Sequence, residues 1–107
     1  MKPFSLFYVN FPAGCEGTIY GMTGKCWDGG YIIAIDSSQD ERTQENALKH
    51  ELSHILLNHF ESKRTLEEVE READEHAQQM TKAELDHLLT FCRKKEVKPP
   101  DFMKKLA

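Results

Sequence analysis

The feature that most limits what this chain can become is His50-Glu51-Leu52-Ser53-His54, set in the middle of its strongest helical pattern. Ala47, Leu48, Leu52, Ile55, Leu56 and Phe60 recur at three- and four-residue steps, and Ser38 or Asp40 can cap the start. The pattern predicts a helix over 38–60. Residues four apart lie one turn apart on a single face, so both imidazoles can reach one ion. Glu51 is rotated from His50 by about 100°, which sets its carboxylate beside the ion rather than on it. There it can take a proton from water, the general-base role.

Two histidines leave zinc under-coordinated for a catalytic site, so a third ligand is needed. The next helical stretch, Glu70-Arg71-Glu72-Ala73-Asp74-Glu75-His76-Ala77, offers several. Glu70 and Asp74 share a face at i, i+4, so Glu70 can ligate while Asp74 accepts a ring N–H from a ligand histidine. Glu72 and His76 form a competing pair on another face. Spacing alone gives Glu70 a lead over Glu72 and leaves both open.

The first third of the chain reads as strand. Phe4–Val9 is aromatic and β-branched and is stopped by Pro12-Ala13-Gly14; Thr18–Met22 is a weaker run ended by Gly24. Tyr31–Asp36 is the strongest strand signal, entered through Asp28-Gly29-Gly30. A three-stranded, mostly antiparallel sheet is expected. Thr65 with Glu68, and Thr81 with Glu84, are capping boxes. The first opens a glutamate-rich helix over 65–80 with Leu66, Val69, Ala73, Ala77 and Met80 on one face. The second opens a helix carrying Leu85, Leu88, Leu89 and Cys92. Pro99-Pro100 then breaks the chain before Phe102–Leu106.

The 107 residues fit one domain, with 39% hydrophobic and 30% charged residues arguing against disorder. No apolar run reaches the roughly 20 residues of a membrane span, and no signal peptide is visible. Three scattered cysteines, Cys15, Cys26 and Cys92, fit a reducing cytoplasm, with Cys26 and Cys92 as buried apolar positions. Residues 93–107 form a basic tail, and the acidic remainder is unsuited to nucleic acid, whose affinity comes from phosphate neutralisation. His59, five residues past His54, is expected on the surface; His76 and His87 read as helix-surface residues, with the alternative that either supplies a proton or stabilises an oxyanion. Tyr20 and Tyr31 read as packing residues, and Trp27 as either a core cap or a cleft residue.

His50-Glu-Leu-Ser-His-Ile-Leu-Leu-Asn-His59, followed by Glu70-x-Glu72-Ala73-Asp74-x-x-Ala77, resembles the ImmA/IrrE metallopeptidases. Their pattern is H-E-L-x-H-x-L-L-x-H and then E-x-x-A-N/D-x-F-A; His76 stands where that family usually has Phe. The glutamate helix is also similar to that of HtpX-like peptidases and of very small soluble gluzincins. The resemblance implies an α+β, zincin-like domain over 1–107 with a gluzincin core. It implies one Zn²⁺ held by His50, His54 and Glu70, with Asp74 behind them and Glu51 as the base. It further implies a protein or peptide substrate, of repressor type, paired in extended form with the strand before the active-site helix through Tyr31, Ile33 and Ile35. No nucleic-acid or membrane partner is expected. The alternative is a zinc-binding module on the same scaffold that regulates or interacts without cleaving.

Overall fold

The computed structural model describes residues 2–11 and 20–96. Four strands and three helices follow in the order β1 (Phe4–Val9), β2 (Gly21–Lys25), β3 (Tyr31–Asp36), α1 (Glu41–Leu56), α2 (Leu66–Gln79), α3 (Lys82–Leu89) and β4 (Cys92–Glu96). A short 3₁₀ turn, His59–Glu61, joins α1 to α2. The expected breaks at Pro12–Gly14 and Pro99-Pro100, the thiol of Cys15 and the segment Phe102–Leu106 lie outside the described residues.

The class is α+β as expected, but the sheet has four strands and is mixed, in the order β2-β3-β1-β4. β1 runs parallel to both β3 and β4, and only β2 and β3 pair antiparallel. The fourth strand, Cys-Arg-Lys-Lys-Glu, comes from the start of the stretch read as a basic tail. Its composition lacks the β-branched and aromatic residues that mark a strand in sequence, which disguised it. Cys92 accordingly opens β4 instead of ending α3, which stops at Leu89 with Phe91 N–H bonded to the Leu88 carbonyl over 3.1 Å.

All three helices start where a side chain caps them. Asp40 accepts from Thr43 N–H, Thr65 from Glu68 N–H and Thr81 from Glu84 N–H. The register Phe4↔Tyr31 and Leu6↔Ile33 stacks these side chains on one face of the sheet. Against that face pack Leu48, Leu52 and Ile55 of α1, then Met80, Leu85 and Leu88. Phe7, Val9 and Ala34 form a smaller cluster on the opposite face. Tyr31 is thus a packing residue. Cys26 and Cys92 are only half-buried, and Trp27 is 100% exposed in the β2–β3 turn, neither capping the core nor lining a cleft. The turn itself depends on Gly29 at φ +88°.

No helix among the described residues is long and apolar enough to cross a membrane.

Candidate metal centre

Burying Leu48, Leu52 and Ile55 fixes the rotation of α1, and that rotation turns His50, Glu51 and His54 toward α2 and β2. The two ring nitrogens Nε2 of His50 and His54 stand 3.0 Å apart. The carboxylate of Glu70, on α2, lies 3.0 Å from each of them, through Oε2 to His50 and Oε1 to His54. Three ligands on a tetrahedral zinc at about 2.0–2.1 Å stand roughly 3.3 Å apart, so this triangle needs to open by only tenths of an ångström. Glu51 also lies close, with one carboxylate oxygen and the two imidazoles within 4.8 Å of one another.

The outward nitrogens of both histidines are occupied as well. Nδ1 of His50 meets Oδ1 of Asp74 at 2.7 Å, which leaves Nε2 as the free lone pair. Nδ1 of His54 meets Nδ1 of His59 at 2.9 Å, and Nε2 of His59 meets Oε1 of Glu72 at 2.9 Å. Arg64 grips the same carboxylate with two N–H groups, at 2.7 and 2.8 Å. With Arg64 first and His59 second, these bonds pull the Glu72 carboxyl down to about 2. Glu72 is therefore engaged elsewhere, and Glu70 takes the position facing the two imidazoles. The donor chemistry, two imidazoles and a carboxylate converging with their lone pairs freed, fits zinc.

Glu51 is buried, and burial pushes its carboxyl above the usual value. The Thr23 hydroxyl, on β2, opposes this by donating to Oε1 over 2.7 Å. Burial likewise lowers the basicity of His54, while Glu70 opposes that shift. An open cleft of about 770 Å³ reaches these groups between β2, α1 and α2. Tyr20, Gly21 and Met22 form one wall, and Thr43, Asn46, Ala47 and the exposed Leu66 contribute to the rest. Gly21 makes room for Glu51: a Cβ there would stand 3.1 Å from Glu51 Cγ and 3.2 Å from Ile35 Cδ1.

Three expectations change. Tyr31, Ile33 and Ile35 do not line the cleft: they are buried in the core, and β3 is paired on both sides, so it has no free edge for a substrate. His59 is not on the surface; its side chain is only 3% exposed. The helix stops after Leu56, and Asn58 in the left-handed region (φ 56°) reverses the chain, carrying His59 back over His54. His76 does not meet Glu72 but packs its Nδ1 against the Ser53 hydroxyl at 2.8 Å, while Ser53 donates to the Lys49 carbonyl. His87 stacks edge-on against Phe91, away from the cleft. Thr23 and Arg64 were not singled out in the sequence, and His59 was expected elsewhere. Asn58, a residue that favours left-handed backbone, was the available signal for His59.

The model of the IrrE N-terminal-like domain, a peptidase family, matches residues 17–88, about two thirds of the chain. No curated protein and no solved structure matches it.

Proposed function

The chain belongs to the IrrE N-terminal-like peptidase family, and on that footing we propose that it is a zinc-dependent endopeptidase of protein substrates. The observation that carries the reading is the triangle of His50 Nε2, His54 Nε2 and the Glu70 carboxylate, with buried Glu51 alongside. When bound, zinc supplies Lewis acidity, which acidifies water and polarises the scissile carbonyl. Glu51 acts as the base. Its Oε1 is held by Thr23, so the other oxygen takes the proton from the attacking water and returns it to the departing amine.

An extended peptide pairs with β2 in this reading. β2 is the end strand of the sheet, it has no strand beyond it among the described residues, and its Gly21 and Met22 line the cleft. A repressor-type regulator in the cytoplasm is the substrate to try first. The test is cleavage of a peptide library and of such a regulator, before and after chelation and with zinc restored. Cleavage that disappears with chelator and returns with zinc supports the reading. Retained zinc without cleavage of any substrate would assign the chain instead to a non-cleaving, zinc-binding regulatory module.

A further inference from the structure

An imidazole that ligates through Nε2 must carry its proton on Nδ1, and a buried N–H needs an acceptor. The two ligand histidines meet that need differently. His50 has a carboxylate, Asp74, directly against Nδ1. His54 has a second histidine in that place, and the carboxylate comes one ring later. We propose that His59 is a positioning residue for the metal centre: backed by Glu72 and Arg64, it locks His54 in the tautomer and ring orientation that present Nε2 to the ion. This rests on the assignment of His50, His54 and Glu70 as ligands.

The proton positions follow from the contacts. With His54 ligating through Nε2, its Nδ1–H donates to Nδ1 of His59 over 2.9 Å. The single proton of a neutral His59 then sits on Nε2 and donates to Oε1 of Glu72, also over 2.9 Å. The opposite tautomer of His59 would set an N–H against an N–H and a lone pair against a carboxylate, so both contacts would repel. Arg64 removes the remaining freedom, because its planar fork holds both oxygens of Glu72. Each link lies on a different piece of chain: His54 on α1, His59 on the 3₁₀ turn, Arg64 just before α2 and Glu72 on it. Packing alone would need an apolar side chain at position 59; a ring with both nitrogens engaged end to end is built to carry orientation.

The test measures zinc affinity by competition with a chelator, together with the visible spectrum of the cobalt-substituted protein. Wild type is compared with His59→Phe, His59→Asn and Glu72→Gln. Phe fills the volume but accepts nothing, and zinc affinity should fall about 10–100-fold with an altered cobalt spectrum, as for other groups behind a ligand. The oxygen of Asn can take the place of Nδ1, so His59→Asn should recover most of the loss. Glu72→Gln, at the surface end of the chain, should weaken affinity severalfold while keeping one site. An unchanged affinity and spectrum in His59→Phe would overturn the inference, as would an Asn variant as weak as the Phe one. If His59→Phe does not fold, Glu72→Gln and Arg64→Gln decide, and wild-type affinity in both overturns it. Wild-type protein that binds no zinc would remove the ligand assignment and this inference together. Wild-type zinc with an indifferent position 59 removes the inference alone.

Discussion

Thr23 donates its hydroxyl proton to Oε1 of Glu51 across 2.7 Å, so the outermost strand of the sheet holds the carboxylate that borders the cleft. That strand has no strand beyond it among the described residues, so under the proposed function peptide pairing and the placement of Glu51 would both fall to five residues of chain, Gly21–Lys25.

Thr23→Val keeps the shape and removes the donor. A buried carboxylate that loses such a bond is destabilised by about 1.5–3 kcal/mol, so cleavage should slow by roughly 10–100-fold while zinc stays bound. Thr23→Ser should restore the rate. Steady-state rates beside zinc content check this, and a Val variant of wild-type rate would contradict it.

Gly21→Ala tests the space beside Glu51. Its methyl would sit 3.1 Å from Glu51 Cγ, tighter than an ordinary contact, so Glu51 must give way by a few tenths of an ångström. We expect slower cleavage with unchanged zinc affinity. Loss of zinc with full retention of fold would mean that this strand supports the ligands instead.

The two glutamates of α2 should separate cleanly. Glu70→Gln should lose stoichiometric zinc, because its carboxylate meets both imidazoles. Glu72→Gln should keep one equivalent, more weakly held. Elemental analysis of the purified variants is the measurement, and the reverse result would move the third ligand to Glu72.

What the sequence disclosed was local. The threonine caps at Thr65 and Thr81, the Asp40 cap and the i, i+4 spacing of His50 and His54 each act within one helix, and the structure has each of them in place. What it hid depends on contacts distant along the chain. β4 pairs with β1 across more than eighty residues, and nothing in Cys-Arg-Lys-Lys-Glu announces a parallel partner. β3 looked like the substrate strand because it precedes α1, yet β2 lies outside it and β1 inside. His59 was misplaced because its five-residue distance from His54 was measured along a helix that has already ended.

Asp40 gives a pH-dependent prediction away from the cleft. The backbone N–H of Thr43 holds its carboxyl below the usual 3.8. The folded state thus favours the ionised form, so the stabilisation is present above pH 3.8 and is lost as pH falls through the lower folded value. Asp40→Asn keeps an acceptor but no charge. Thermal unfolding should show the variant's deficit at neutral pH shrinking in acid; parallel curves would refute the cap's electrostatic part.

Leu52 is the core anchor between His50 and His54, with 0% exposure. Leu52→Ala should cost about 2–5 kcal/mol in denaturant unfolding, most of it from the cavity left against the sheet. A loss below 1 kcal/mol would mean that α1 is not seated by this side chain.

The most direct test of the peptidase assignment is Glu51→Gln, which preserves shape and one accepting oxygen but cannot take a proton. Zinc content and cleavage are measured on the same preparations of wild type and variant. One zinc per chain is expected in both, with cleavage by the variant slower by about 10²–10⁴-fold. Equal cleavage by the two proteins would contradict the assignment.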